Sequence, residues 1–102
     1  MVTKKITGKI KVIIADDHPL FRRGLKHAFA ETPDIEVVGE VETGEELLKK
    51  VQGMDLNLAL LDISLPGKGG LEILKELRED RPKLPVLMLT VYPEEHYAVR
   101  FF

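Results

Sequence analysis

The sequence predicts an α/β fold, a doubly wound parallel sheet with helices on both faces. Two observations predict it. Short apolar runs that suit strands alternate with stretches of helical periodicity, in the order βαβαβαβα. Several of those runs end abruptly in Asp or Thr, and each next helix opens a few residues later. Such alternation implies right-handed crossovers between parallel strands.

The elements follow in order. Ile10 to Ala15 (IKVIIA) is a β-branched apolar run that predicts a buried strand, closed by Asp16-Asp17-His18-Pro19. Pro19 suits a first helical turn, where a missing N–H costs nothing. Phe21, Leu25, Ala28 and Phe29 then mark one helical face, and Thr32-Pro33-Asp34 stops it. Ile35 to Val41 (IEVVGEV) predicts a second strand, with Glu36, Gly39 and Glu40 suggesting an edge. Thr43 is an expected N-cap, with Glu45 and Glu46 in the positive first turn and Lys49 and Lys50 near the end. Leu47, Leu48 and Val51 supply the apolar side of that helix, and Gly53 ends it.

Leu56 to Leu61 (LNLALL) predicts a central strand buried on both faces and ending at Asp62. Pro66 to Gly70 is a loop. Leu71, Ile73, Leu74 and Leu77 predict a third helical face, stopped at Arg81-Pro82. Val86 to Leu89 predicts a fourth buried strand ending at Thr90, and Pro93 is expected to open a fourth helix that runs to the end of the chain.

Bulk properties exclude several functions. At 102 residues, 44% hydrophobic and 31% charged, the chain is one ordinary globular domain. A formal charge of -2 and the lack of a Lys/Arg-dense run disfavour direct binding to nucleic acid. With no cysteine there is no thiolate chemistry and no disulfide, which fits a cytoplasmic location. No apolar run is long enough to span a membrane, and Met1 to Lys11 lacks a signal-peptide core.

The chemistry gathers at strand ends. In an open parallel sheet, ligands bind beyond the carboxyl ends of the strands, where strand order reverses. If the first and third strands are neighbours, Asp16, Asp17 and Asp62 converge there. Three such carboxylates repel one another, and a hard cation or a raised pKa relieves them. Mg2+ accepts one or two carboxylates and keeps its other positions for water or phosphate oxygens. That combination suits phosphoryl transfer to a carboxylate nucleophile, with the Thr90 hydroxyl as a donor to a phosphoryl oxygen. A single strand-end Asp is often only a cap or turn residue, so the joint arrangement carries the reading. His18, beside Pro19 at a helix start, is read as a cap or solvent-facing residue in preference to a metal ligand. Arg22-Arg23 is read as a solvated helix face. Gly67-Lys68-Gly69-Gly70 lacks the spacing of a nucleotide-binding loop.

The segments Val12 to Leu25 (VIIADDHPLFRRGL), Leu58 to Leu74 (LALLDISLPGKGGLEIL) and Pro85 to Tyr92 (PVLMLTVY) resemble the receiver domain of two-component response regulators. The D-D-H-P-x-x-R-x-G-L form is similar to the subclass with a C-terminal LuxR-type helix-turn-helix. The resemblance covers the chain from Lys9 onward, leaving residues 1–8 as an N-terminal extension. It implies a flavodoxin-like fold with strand order 2-1-3-4-5. It implies that Asp62 accepts a phosphoryl group from a sensor histidine kinase. Asp17 would ligate Mg2+ directly and Asp16 directly or through water, with Asp62 and the backbone carbonyl of Ser64 as further ligands. Pro66 and Gly70 would shape the following loop, and Thr90 would be the switch hydroxyl. Receiver domains continue into a fifth strand bearing a lysine, and a fifth helix; this chain reaches Phe102 first. The resemblance therefore implies a C-terminally truncated domain with strand order 2-1-3-4, and self-association through the open edge of the fourth strand is expected. A non-phosphorylated interaction or dimerisation module is the alternative.

Two other functions fit less well. A haloacid-dehalogenase-type phosphatase needs a second Asp two residues after its nucleophile, where Ser64 stands. A flavin carrier of this fold needs a hydroxyl- and glycine-rich loop after the first strand, where Asp16 to Phe21 stand.

Overall fold

A computed structural model describes residues 9–91 and 97–101. The chain forms β1 (Ile10–Ala15), α1 (Pro19–Ala30), β2 (Ile35–Val41), α2 (Gly44–Lys50), β3 (Leu58–Asp62), α3 (Gly70–Asp80), β4 (Val86–Val91) and β5 (Tyr97–Phe101). One sheet runs β2-β1-β3-β4-β5. The first four strands in that row are parallel, as expected of a flavodoxin-like receiver fold.

Period two in the central strands divides the core into two layers. Ile13 and Ala15 of β1, with Ala59 and Leu61 of β3, face α2 and α3 through Leu47, Val51, Ile73 and Leu77. Val12, Ile14 and Leu60 face the other way, toward Leu25 and Phe29 of α1. Helices thus cover both faces. Leu71 departs from the expected third face: it is 63% exposed, while Ile73 and Leu77 are buried. Residues i and i+4 share one stripe, so Ile73 and Leu77 define the inward side of α3 and Leu71 falls outside it.

β3 begins at Leu58, two positions later than the apolar run suggests. Asn57 explains the delay. Its N–H donates to the Lys11 carbonyl, and its side-chain oxygen accepts from the Lys11 N–H at 2.7 Å. A side chain therefore stands in for one rung of the ladder.

The chain end differs from expectation. The helix foreseen from Pro93 to the terminus is a strand over Tyr97–Phe101, antiparallel to β4 with Leu89 opposite Val99. Residues 92–96, including Pro93, lie outside the described residues. The physical reason is in YAVRF: Tyr, Val and Phe at alternate positions favour an extended backbone. The apolar β4 offers them a full set of unpaired backbone groups. The β4 edge expected to be open for self-association is accordingly paired with β5.

Candidate functional site

The site lies at the carboxyl rim of β1 and β3, the two central strands between which strand order reverses. Ala15 pairs with Leu61, so the next residues, Asp16 and Asp62, stand side by side. Both continue the row of Val12, Ile14 and Leu60 on the α1 side. The backbone is fixed on either flank. The Asp16 N–H donates to the Val41 carbonyl at 3.0 Å, and the Ile63 N–H to the Leu89 carbonyl at 3.0 Å.

The sequence-predicted acids come together. One ligand atom from each of Asp16, Asp17, His18 and Asp62 lies within 4.8 Å of all the others. Asp16 is fully buried and Asp62 is 5% exposed. Burial pushes the Asp16 carboxyl above its ordinary range, since desolvation disfavours the charged form. The neighbouring Asp62 carboxyl acts in the same direction, and hydrogen bonds from His18 oppose it.

Asp62 is held asymmetrically. The Ser64 N–H donates to its Oδ1 at 2.9 Å and the Ser64 hydroxyl to the same atom at 2.8 Å. This leaves Oδ2 turned toward the cluster, 3.3 Å from His18 Nδ1. The loop that follows packs tightly. A Cβ on Gly70 would stand 2.7 Å from the Ile63 Cα, and Gly67 has φ +87°, a left-handed conformation that glycine adopts freely.

His18 enters the cluster itself. It occupies the N-cap position of α1 without a side-chain capping bond. Its ring is 59% exposed, yet Nδ1 lies 3.1 Å from an oxygen of Asp16 and 3.1 Å from one of Asp17. The hydrogen bond with Asp16 raises its pKa above 6.5; burial opposes this, and the charges of Asp17, Asp16 and Asp62 add to it. One N–H cannot satisfy three carboxylates. It is aligned on Asp16 Oδ1; Asp16 Oδ2 and Asp17 Oδ1 are buried without a hydrogen-bond donor. Two orphaned acid oxygens in a cluster of three carboxylates suit a divalent cation.

Arg22 corrects a second sequence expectation. Its side chain is only 17% exposed. Nη1 donates to the Asp16 carbonyl, and Nε donates to Glu40 Oε1 at 3.0 Å. Lys26 also reaches Glu40, at 2.7 Å. The signal was present in the spacing: Arg22 lies one helical turn after His18, on the side where α1 meets the rim. Arg23 is exposed, as expected. Thr90 belongs to β4 and follows Leu89, the register partner of Asp62. Among the described residues no helix is long and apolar enough to cross a membrane.

Comparison with known proteins gives the site its context. Residues 12–102 match the model of the response regulator receiver domain. Response regulator GacA of Pseudomonas syringae pv. syringae is 36% identical over 91 residues, covering 89% of this chain and 42% of that protein. Transcriptional regulatory protein DegU of Brevibacillus brevis is 37% identical over 91 residues, with 89% and 39% covered. The chain thus spans about two-fifths of the length of these curated relatives. Among solved structures, the non-phosphorylated receiver domain of the stress response regulator RcsB from Escherichia coli superposes with a TM-score of 0.79. It shares 29% identity, over 84% of this chain and 68% of that one. An acidic rim on a β2-β1-β3-β4 parallel sheet, a family match over nearly all of its length and relatives above 30% identity make this chain a member of the response regulator receiver domain family, the signalling module of two-component systems.

Proposed function

We propose that Asp62 is the acceptor of a phosphoryl group delivered by a phosphohistidine of a sensor histidine kinase. Mg2+ would be held by Asp17, by Asp16 directly or through water, by Asp62, and by the Ser64 carbonyl. When bound, the cation supplies charge neutralisation to the transferred group. The supporting observation is the meeting of Asp62 with Asp16 and Asp17 at one rim, with two buried acid oxygens lacking donors.

The roles of the chain's own residues follow from their placement. Ser64 engages Oδ1 of Asp62 twice, which leaves Oδ2 as the attacking atom. As the bond from Oδ2 to phosphorus forms, the bond from phosphorus to the donor nitrogen breaks. The donor ring, protonated on its other nitrogen, leaves as neutral imidazole with the electron pair. Arg22 fixes the Asp16 main chain, so the acid pair does not swing away as charge builds up. Thr90, next to the register partner of Asp62, is the residue proposed to turn its hydroxyl toward the new group. The names of the relatives support a transcription regulator as the parent protein.

The test is treatment with acetyl phosphate and Mg2+, read by intact mass. One added phosphoryl group, lost in Asp62→Asn, is expected. Labelling that persists in Asp62→Asn would move the acceptor elsewhere, and no labelling of the wild-type chain would reject the reading.

A further inference from the structure

We propose that the outer edge of β5 (Tyr97–Phe101) is a self-association surface, along which a second copy of this chain adds its own β5 in antiparallel register, with Val99 of each copy on the two-fold axis. Two five-stranded sheets then become one. The pairing is independent of the phosphoryl-transfer reading above.

The two ends of the sheet differ. In the row β2-β1-β3-β4-β5, β2 and β5 are the outer strands among the described residues. Each pairs on one side only, so alternate backbone N–H and C=O groups along its other side lie open to a further strand. β2 is blunted twice over. Its pairing with β1 shifts register between Val12 and Ile13, leaving Val38 as an extra residue. It also carries Glu36 and Glu40, the latter held by Arg22 and Lys26 of α1 at 3.0 and 2.7 Å. β5 has neither device. Its pairing with β4 runs without a break, from Val91 opposite Tyr97 to Leu87 opposite Phe101. YAVRF holds no Pro, no Gly and one charge, with Tyr, Val and Phe at alternate places.

The sequence of β5 matches itself. A closed dimer needs an isologous contact, in which one surface meets its own counterpart across a two-fold axis. Antiparallel strands related by an axis through Val99 place Tyr97 opposite Phe101 and Ala98 opposite Arg100. Arg100, the one charge of the strand, thus stands opposite alanine and not opposite a second arginine. The two aromatic positions stand opposite each other, a favourable cross-strand pair. Pairing of β5 with β2 of another copy would set a regular edge against a bulged one whose Glu40 is already engaged, and would leave free ends for further growth. A second β5 is therefore the strand that fits best.

Sedimentation velocity of the 102-residue chain over a range of concentrations is expected to show a monomer–dimer equilibrium. A monomer alone at high micromolar concentration, or species that grow without limit, would overturn the proposal. The chain has no cysteine, so a single introduced one can form a disulfide only with a second copy. Opposite residues in an antiparallel pair have Cα atoms about 4.5–5.5 Å apart, inside the range a disulfide spans. Val99→Cys, on the axis, should therefore crosslink into a covalent dimer under mild oxidation. Arg100→Cys, whose counterpart lies about 7–8 Å away on the diagonal, should crosslink far more slowly. Equal rates, or no crosslinking of Val99→Cys in a chain that dimerises, place the contact elsewhere and overturn the pairing. Val99→Lys, which sets like charges opposite each other on the axis, should weaken the dimer by about tenfold or more. Unchanged association of this variant would overturn the proposal as well. The cysteine variants carry the test should the lysine variant unfold.

Discussion

At the scale of single residues, the acids were legible and their companions were not. Asp16, Asp17 and Asp62 announce themselves together, because acids at the ends of two apolar strands exceed what a turn alone calls for. His18 did not, because a histidine before proline at a helix start has a plain capping role, and only the fold shows its ring returning to the acids. Arg22 was hidden for a related reason. Beside Arg23 it looks like half of a solvated pair, and its burial depends on where β2 places Glu40. Glu40 yields a prediction of its own. The Lys26 hydrogen bond first, then the Lys26 and Arg22 charges, hold its carboxyl below the usual 4.5, against burial. A depressed folded pKa adds stability above the unfolded value, and that stability is lost as pH falls through the folded value. Glu40→Gln should therefore flatten the acid limb of a stability–pH curve below about pH 5, while costing less than about 1 kcal/mol at neutrality because the pair is partly solvated. Urea melts across that range would check it. An unchanged limb would mean that the pair contributes nothing measurable.

At the scale of elements, local chemistry set the boundaries that the sequence predicted well. β1 and β2 run over the residues expected, since β-branched runs closed by Asp16 and by Glu42-Thr43 leave little freedom. The Thr43 cap is realised in full: its side chain accepts the Glu46 N–H at 3.1 Å, and Glu46 accepts the Thr43 N–H in return at 3.2 Å. Thr43→Ala should cost about 1 kcal/mol, measured by chemical denaturation, with no effect on phosphodonor labelling. Gly70 makes the opposite case, a residue whose loss reaches the site. Its missing Cβ allows α3 to start against the Ile63 backbone, one residue past Asp62. Gly70→Ala should cost about 1–3 kcal/mol by overpacking and slow labelling of Asp62 as well, because the obstructing atom is main chain and cannot rotate aside. Labelling at the wild-type rate would show that the loop absorbs the shift elsewhere. The fourth helix was misread because Pro93 signals a helix start, whereas YAVRF responds to a neighbouring strand that periodicity along the chain does not reveal.

At the scale of the whole molecule, stability should depend on what the rim binds. An ion that binds the folded chain and not the unfolded one stabilises it by mass action, about 2.7 kcal/mol at a hundredfold excess over its Kd. Adding Mg2+ or Mn2+ should therefore raise Tm by several degrees, and Asp62→Asn should reduce the gain. A scanning calorimetry trace indifferent to both ions would remove the metal from the account. The parallel sheet was legible because four apolar runs separated by helices permit few topologies, whereas its order was implied by the family resemblance. The final antiparallel strand was not, because it depends on which surface the chain end meets.

Ser64 has one more effect at the rim. By clasping a single oxygen of Asp62 from both main chain and side chain, it makes the carboxylate lopsided. The two oxygens of an aspartate are ordinarily interchanged by a half-turn of the side chain. Here that half-turn would break both bonds, so the group has a front and a back. Under the proposed role of Asp62 a donor would have to approach from the front, which would make direction of approach, as much as shape, a criterion by which a true partner is told from a chance encounter.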